Sequence, residues 1–199
     1  DGQDADSVCE HSRMTDFVRR VGQTADFNTV LHIGIGGSDW GPRLAVQAFG
    51  GASQRRQIRF VSNIDGHAFH DAVAGLDPRR CLVVVSSKSF TTAETLHNAR
   101  AAIAWLKQGG VADASEHLAA VTANVSAARA LGVPSSQIFK MCDWVGGRYS
   151  VWSVAGLSIA LTVGADVLIG MRAGAEAMDQ HFQQAPFASN APIQLALAG

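Results

Sequence analysis

A short apolar run at residues 81–85 is followed directly by a stretch crowded with hydroxyl side chains at residues 86–95, which we call the hydroxyl-rich loop. An unbroken β-branched run of this kind is typical of a strand that is buried on both faces of a parallel sheet. Beyond the loop, apolar residues recur at helical spacing as far as Leu106, and Gly109 ends the pattern. A helix is therefore predicted to begin near Thr92, which places the loop at a strand-to-helix turn.

The composition of the hydroxyl-rich loop indicates that it binds an anion. Free amide groups at a helix N-terminus, several hydroxyl donors and the ammonium group of Lys88 suit a phosphate dianion. Thr91 and Glu94 have the spacing of a capping box, which would satisfy the first amides of the helix and give Glu94 a structural role. A capping box leaves the other hydroxyl groups and Lys88 unexplained, so the loop is predicted to bind phosphate.

Four further apolar segments are predicted to be strands, with helices between them. The strands are predicted at residues 29–35, 57–62, 81–86, 118–122 and 137–141. The first helix is predicted to end near Gly22, and a second helix is predicted to run from Pro42 toward Phe49. Five more helices are predicted at residues 67–74, 92–107, 125–131, 150–168 and 171–184. This alternation predicts a parallel sheet covered by helices on both faces, which is a three-layer αβα sandwich.

The 199 residues are predicted to form one domain, because nothing in the sequence marks a boundary between two. A leading helix (residues 1–25, with residues 1–7 frayed) precedes a five-stranded core (26–145), and closing helices follow (146–199). The predicted strand order is 2-1-3-4-5, in which the connections reverse direction between strands 1 and 3. The crevice that opens there is expected to lie between the hydroxyl-rich loop and residues 34–38, which we call the glycine loop.

The glycine loop does not match two common nucleotide-binding patterns. A dinucleotide fingerprint requires a third glycine where Asp39 stands, and a nucleotide P-loop requires lysine followed by serine or threonine where Pro42 and Arg43 stand. Its two consecutive glycines still allow the backbone to approach a ligand closely, with Ser38 as a donor. The alternative is that they are only permissive turn residues.

A third cluster, at residues 143–153, presents Arg148 on a tight turn formed by two glycines, at the opening of an apolar helix. Arginine stays charged under all conditions and can hold a developing oxyanion through fixed donors. The alternative role for Arg148 is a surface or capping ion pair.

Composition and charge exclude several classes of function. A net charge of −1 and the lack of a basic run exclude nucleic acid and anionic membranes as expected partners, and no stretch has the length and apolarity of a membrane span. Three cysteines without metal-ligand spacing predict reduced thiols and a cytoplasmic location. No metal or cofactor is expected: His67 and His70 beside Asp71 have a suitable spacing, but a third ligand is not evident.

Four motifs resemble, in order, successive signatures of the glucose-6-phosphate isomerase family, and they span most of the chain. They are residues 34–42 (GIGGSDWGP), 61–66 (VSNIDG), 87–95 (SKSFTTAET) and 143–153 (DWVGGRYSVWS). The Gly-Gly-Arg-Tyr-Ser element is specific to this family, whereas the hydroxyl-rich loop is shared with other sugar-isomerase (SIS) domains that bind phosphosugars. Ser89 stands where the family usually has threonine, which keeps the hydroxyl group.

The resemblance implies an SIS-type, flavodoxin-like fold and a role for particular residues. Gly37 and Ser38 would contact the sugar phosphate, and Arg148 would stabilise an enediolate. The phosphoryl group would be cradled by Ser87, Lys88, Ser89, Phe90, Thr91 and Thr92.

The reaction implied by the resemblance moves a proton between C2 and C1 of an open-chain sugar. It interconverts glucose 6-phosphate and fructose 6-phosphate in glycolysis and gluconeogenesis, without a metal. The family's glutamate base and ring-opening histidine fall beyond Gly199, so the chain is expected to be truncated, inactive alone and part of a homodimer when complete. The alternative is a stand-alone phosphosugar-binding module that senses its ligand without transforming it.

Overall fold

The computed structural model of the chain, which describes residues 2–24, 26–51 and 54–198, contains a five-stranded parallel sheet in the order β2-β1-β3-β4-β5. The strands are β1 (Thr29–Ile33), β2 (Gln57–Val61), β3 (Cys81–Ser86), β4 (Leu118–Thr122) and β5 (Ile138–Lys140). The predicted strand order is confirmed, and β1, β2 and β5 are slightly shorter than predicted. Three residues at the ends of the predicted regions lie outside the described part of the chain: Asp1, Ala25 and Gly199.

Helices connect the strands and close the chain. They are α1 (Gly2–Gln23), α2 (Gly37–Phe49), α3 (Gly66–Val73), α4 (Ala93–Gln108), α5 (Val125–Ala130), α6 (Leu157–Thr162), α7 (Ala165–Gln184) and α8 (Ala191–Ala198). Short 3₁₀ segments precede β3, β4 and β5, and others occupy Gly147–Trp152, Val154–Gly156 and Phe187–Ser189. Within the described ranges, no helix combines the length and the apolar character needed to cross a membrane.

Side chains of the strands alternate between two hydrophobic cores, one on each face of the sheet. Leu82 and Val84 of β3 pack with α1, α2 and α6, whereas Val83 and Val85 pack with α3, α4 and α5. All four side chains are buried, as expected for a parallel sheet with helices on both faces. The predicted three-layer αβα sandwich is therefore confirmed.

β1 lies at the point where the connections change direction. It pairs with β2 on one side and with β3 on the other, so that Ile33 is in register with both Val61 and Val85. The helix that follows β1, α2, packs on one face of the sheet, and the helix that follows β3, α4, packs on the other. The chain segments that leave β1 and β3 therefore diverge, and a crevice opens at the carboxyl ends of these two strands.

α2 begins earlier than predicted, because Pro42 lies inside the helix rather than at its first position. Gly36, with a φ of 58°, turns the chain into the helix in a conformation that favours glycine. Proline has no amide hydrogen, so the carbonyl group of Ser38, four residues earlier, receives no helical hydrogen bond from residue 42. That carbonyl is left for another donor.

The predicted helix at residues 150–168 is wrong over its first part, where the chain forms two 3₁₀ segments. Ser153 separates them: its hydroxyl group donates to the carbonyl of Ser150 at 2.6 Å and accepts a bond from the amide of Ala155 at 3.2 Å. Such local bonds compete with the regular helical pattern. The apolar spacing of the sequence continues across this serine and did not reveal the break.

Two further helix boundaries differ from the prediction. α6 ends before Gly164, whose φ of 142° is accessible to glycine. One helix was predicted to end at residue 168 and the next to begin at residue 171, but α7 continues through both positions without a break. At the other end of the chain, α1 begins at Gly2, so residues 2–7 are helical rather than frayed.

Arg56 joins three segments that are distant in the sequence. Its guanidinium group donates to the carbonyl oxygens of Val21 (2.7 Å), Phe27 (3.0 Å) and Leu161 (2.8 Å). Val21 and Leu161 lie in the last turns of α1 and α6, where carbonyl groups lack helical partners. The fixed fork of the guanidinium group allows one side chain to serve all three acceptors.

We expect Arg56→Met to lower the free energy of unfolding by about 3 kcal/mol, because it leaves these carbonyl oxygens without a charged donor. Arg56→Lys should recover only part of this loss, since an ammonium group cannot span three separated acceptors. Urea denaturation of the variants measures the effect. Arg59→Met, at an exposed position of β2, is the matched control and should change stability little; equal stability of all the variants would contradict the assigned role.

Candidate functional site

The crevice at the carboxyl ends of β1 and β3 contains a cavity of about 590 Å³. Its lining residues are Ile35, Gly37, Ser38, Ser86, Ser87, Lys88, Ser89, Thr92, Thr95, Ala123, Asn124, Asp143 and Gly147. The glycine loop and the hydroxyl-rich loop thus form two walls of one cavity, and the segment after β5 contributes a third. Of the residues predicted to form the site, Phe90, Thr91 and Arg148 lie outside this lining among the described residues.

The N-terminus of α4 opens into the cavity. Thr92 is the N-cap residue, and its side chain makes no capping hydrogen bond. The predicted capping box is wrong, because the hydroxyl group of Thr91 donates instead to Ser89 Oγ at 2.9 Å and Glu94 lies one position too early in the helix. The amides of the first turn of α4 therefore have no side-chain cap from Thr92, and an anion in the cavity would complement them.

The hydroxyl-rich loop is fixed to the end of β4 by hydrogen bonds. The carbonyl of Lys88 accepts bonds from the amide of Ala123 (2.9 Å) and the hydroxyl group of Thr122 (3.0 Å). The side-chain amide of Asn124 donates to the carbonyl of Ser89 at 3.1 Å. These bonds fix the main chain of the loop to the end of the sheet.

Phe90 holds the turn of the loop in an uncommon conformation. Its φ is 53°, in the left-handed region that costs a residue with a side chain on the order of 1 kcal/mol. The ring is fully buried in the core formed with α4, and the amide of Phe90 donates to Ser87 Oγ at 3.2 Å. Core packing therefore stabilises a strained turn that places Ser87 Oγ 3.5 Å from Thr92 Oγ1.

Two buried hydroxyl groups of the cavity wall have no hydrogen-bond partner among the described residues. They are Ser86 Oγ, at the end of β3, and Thr95 Oγ1, in the first turn of α4. The two residues are only 1% and 2% exposed, and both line the cavity. A buried hydroxyl group without a partner costs about 1–3 kcal/mol. Both oxygens are closed off from the cavity, so they lie beneath its wall rather than on its surface.

Ser86 and Thr95 were missed as site residues by the sequence analysis. Ser86 was assigned to the strand and Thr95 to the helix, and both assignments are correct. The available signal was position: the last residue of a strand and the third residue of the following helix both approach the same helix N-terminus. Their lack of partners becomes visible only in three dimensions.

The glycine loop is in direct contact with the segment that carries Arg148. A Cβ atom at Gly37 would collide with the carbonyl of Gly147, so this close approach requires glycine. The hydroxyl group of Ser150 donates to the carbonyl of Gly37 at 3.3 Å. The contact brings the Arg148 segment next to the cavity.

His32 supports the glycine loop from below, inside the sheet. Its Nε2 lies 2.8 Å from the carbonyl oxygen of Ser38 and its Nδ1 lies 2.7 Å from Ser158 Oγ. Because a carbonyl only accepts, Nε2 carries the proton and Nδ1 accepts from Ser158. This is the carbonyl that Pro42 leaves free in α2. Burial lowers the pKa of His32 from 6.5 to about 4, so the imidazole is neutral at physiological pH.

Asp39, which follows the glycine loop, is paired with an arginine. Its buried carboxylate accepts two bonds from Arg43, of 3.0 Å from Nε and 2.8 Å from Nη2. The guanidinium group of Arg43 lies in turn 4.5 Å from the centroid of the Phe60 ring. Asp39 does not line the cavity and stabilises the start of α2.

Arg148 does not line the cavity, but it directly follows the lining residue Gly147, and its main-chain nitrogen lies close to Gly37. The side chain is exposed, and among the described residues it takes part in no ion pair. The alternative of a structural ion pair therefore finds no partner in this part of the chain. The other cation of the site, Lys88 Nζ, donates to the carbonyl of Asp143 at 2.6 Å.

A larger concave region, of about 1100 Å³, lies between α1, α7 and residues 144–154. Aromatic and aliphatic side chains such as Trp144, Tyr149 and Ile169 form much of its wall. Its charged lining residues have both signs, with Glu10, Glu176 and Asp179 beside Lys140 and Arg172, and among the described residues it has no hydroxyl-rich helix N-terminus like that of α4. The smaller cavity, which carries the hydroxyl donors, is therefore the candidate phosphate site.

The alternative metal site on α3 has no third ligand in the described ranges. The side chains of His67 and His70 are 99% and 82% exposed. No group of at least three His, Cys, Asp or Glu residues in the described part of the chain has an arrangement suited to a metal ion. The two histidines lie on an exposed helix face.

Comparisons with known proteins agree with the motifs. A family model described as phosphoglucose isomerase matches residues 3–199. The chain is 54% identical over 194 residues to a glucose-6-phosphate isomerase from Bordetella petrii. It is 50% identical over 194 residues to the corresponding enzyme from Bordetella avium. Each alignment covers 98% of this chain and 37% of the relative. The crystal structure of a glucose-6-phosphate isomerase from Chlamydia trachomatis superimposes with a TM-score of 0.84 at 31% identity, covering 96% of this chain and 36% of that one.

The lowered pKa of His32 predicts how stability depends on pH. Between pH 6.5 and about 4 the unfolded chain binds a proton that the folded chain does not, so this group makes stability fall as the pH is lowered through that window. The slope from one such group is about 1.4 kcal/mol per pH unit. Urea denaturation at a series of pH values should show a shallower slope for His32→Gln than for the wild type. Identical slopes would show that the buried imidazole does not resist protonation.

Proposed function

The chain belongs to the phosphoglucose isomerase family, and we propose that it carries the sugar-phosphate-binding part of a glucose-6-phosphate isomerase. It spans about 37% of the length of the two curated relatives named above. The activity of the whole enzyme is therefore attributed to a longer polypeptide that contains this sequence. The observation that carries the proposal is the uncapped N-terminus of α4, which opens into a cavity that Lys88 and the hydroxyl residues Ser87, Ser89 and Thr92 also line.

The proposed ligand of the cavity is the phosphoryl group of a six-carbon sugar phosphate. A dianion with several acceptor oxygens complements the uncapped N-terminus of α4, the hydroxyl side chains that line the cavity and the Lys88 ammonium. A volume of about 590 Å³ falls in the ordinary range for small-molecule sites.

We assign the binding residues as follows. Ser87, Lys88, Ser89 and Thr92 bind the phosphoryl group, with Ser86 and Thr95 beneath them, and Gly37 and Ser38 contact the sugar phosphate from the opposite wall. Phe90 and Thr91 shape the loop, since they lie behind its cavity face.

The proposed reaction is proton transfer between C2 and C1 of the open-chain sugar through an enediolate. Arg148 is the proposed cation that stabilises this intermediate, because it follows the lining residue Gly147 and its exposed guanidinium group has no ion-pair partner among the described residues. A guanidinium group that stabilises the enediolate makes a metal unnecessary for this step. The proton itself is proposed to be moved by a carboxylate from the part of the relatives that this chain does not span, so the chain alone is proposed to be inactive.

A phosphosugar-binding module without catalysis is the alternative. The relatives named above, at 54% and 50% identity, are glucose-6-phosphate isomerases, and this similarity does not favour a module without catalysis. An unpaired arginine beside the cavity is also unnecessary for a sensor. We further propose that the complete enzyme is a cytoplasmic homodimer of glycolysis and gluconeogenesis, in keeping with three free cysteines and exposed apolar side chains such as Leu195.

Phosphate binding is tested by Thr92→Val. Loss of one hydroxyl donor to a charged ligand should weaken binding of inorganic phosphate or a sugar 6-phosphate by about tenfold or more. The melting temperature should change little, because the Thr92 side chain makes no capping bond. Titration calorimetry compares this variant with Thr91→Val, whose hydroxyl group bonds Ser89 instead and whose effect should be smaller. Unchanged phosphate affinity in Thr92→Val would reduce Thr92 to a helix-start residue.

The role of Arg148 is tested in the full-length enzyme. If Arg148 stabilises charge that develops only in the enediolate, Arg148→Ala should lower kcat by about 10²-fold with a smaller change in KM. The kcat of Arg148→Lys should lie between those of the wild type and Arg148→Ala, because lysine keeps the charge but lacks the planar fork of donors. The rate per folded molecule and the thermal stability are measured for each variant. Arg59→Ala, which removes an exposed arginine that does not line the cavity, is the control. A normal rate with reduced stability would remove Arg148 from the catalytic residues.

A further inference from the structure

The side chain of Lys88 connects two walls of the cavity. Its Nζ donates to the carbonyl of Asp143 at 2.6 Å, and both residues line the cavity. Lys88 belongs to the hydroxyl-rich loop, whereas Asp143 begins residues 143–149, which we call the arginine segment because it contains Arg148. The lysine is thus bonded to the segment that carries the proposed catalytic cation.

The two ends of this connection are held very differently. The main chain of Lys88 is fixed to β4, since its carbonyl accepts bonds from Ala123 and Thr122. The arginine segment is exposed except at Val145, and its main-chain bonds are local ones, such as that from the amide of Tyr149 to the carbonyl of Gly146. Gly147 also packs directly on Gly37. The ammonium group therefore joins the start of this segment to the rigid end of the sheet, while Gly147 holds its middle against the glycine loop.

An ammonium group has three donors, and the carbonyl of Asp143 uses one of them. The remaining donors are available to an anion in the same cavity. A dianion bound there would accept from the same ammonium group as the carbonyl of Asp143. The Lys88 side chain would then be held by two acceptors and would lose conformational freedom.

We propose that Lys88 is a positioning residue that couples occupation of the phosphate site to the placement of Arg148. Binding of the phosphoryl group fixes the Lys88 side chain, which fixes the carbonyl of Asp143 and, with it, the arginine segment. Part of the binding energy of the non-reacting phosphoryl group is thereby used to organise the reacting end of the site. The inference rests on the proposed function, because it requires phosphate in the cavity and a catalytic Arg148.

Hydrogen–deuterium exchange of the full-length enzyme, with and without inorganic phosphate, tests the coupling. In the wild type, saturating phosphate should slow exchange both in residues 87–95 and in the arginine segment, by about threefold or more. In Lys88→Met, at a phosphate concentration raised to saturate the variant, the slowing should persist in residues 87–95 and be lost in the arginine segment. Lys107→Met, which removes an exposed lysine from the last turn of α4, is the matched control and should behave as the wild type.

Each outcome distinguishes this inference from the function on which it rests. No slowing in residues 87–95 of the wild type would overturn the proposed phosphate site itself. Slowing confined to residues 87–95 in the wild type, or slowing of the arginine segment that survives in Lys88→Met, would overturn the coupling and leave the phosphate site intact. Lys88→Arg, which keeps charged donors, should retain part of the coupled slowing and serves as the second variant if Lys88→Met does not fold.

A kinetic cycle gives an independent readout. Lys88→Met should lower kcat by about tenfold or more when Arg148 is present, and should lower it much less in the Arg148→Ala background. Multiplicative effects of the two substitutions would show that Lys88 acts only as a phosphate ligand. No effect of Arg148→Ala alone would instead contradict the proposed catalytic role of the arginine.

Discussion

β1 hydrogen-bonds to β2 on one side and to β3 on the other, and the direction in which the chain winds changes between these two pairings. This arrangement requires the segments after β1 and β3 to leave on opposite faces of the sheet. Every other feature of the site follows from that divergence. The hydroxyl-rich loop and the glycine loop are separated by about fifty residues in the sequence, yet they form facing walls because their strands are neighbours.

The candidate site retains features that folding alone would disfavour. Ser86 and Thr95 have buried hydroxyl groups without partners, α4 has no side-chain cap, and Phe90 has a left-handed backbone conformation. Each of these costs free energy in the unliganded chain, and the surrounding core compensates for it. These features lie around one cavity, whereas the remaining buried atom without a partner among the described residues, His11 Nε2, belongs to a residue that lines the larger concave region. The uncapped helix terminus is therefore the stronger physical argument for an anion in this cavity.

The fold was largely predictable from the sequence, because strands such as β3 are buried on both faces and appear as unbroken apolar runs. The local chemistry was less predictable. The capping box failed because the left-handed turn at Phe90 directs Thr91 toward Ser89, and no spacing rule contains that turn. The helix predicted from residue 150 failed because Ser153 and Gly164 interrupt an apolar pattern that continues on both sides. Contacts between distant segments, such as that of Lys88 with Asp143, have no signature in a single sequence.

The proline inside α2 has a consequence for attempts to stabilise this protein by design. Standard practice replaces a proline in the interior of a helix with alanine, since this restores a helical hydrogen bond. Here the restored amide at position 42 would compete with His32 for the carbonyl of Ser38, which now receives the imidazole proton at 2.8 Å. The helix would become more regular, but the buried histidine would have to share its acceptor beneath the glycine loop. A rule that improves a helix in isolation would thus weaken the support of a loop that lines the candidate site.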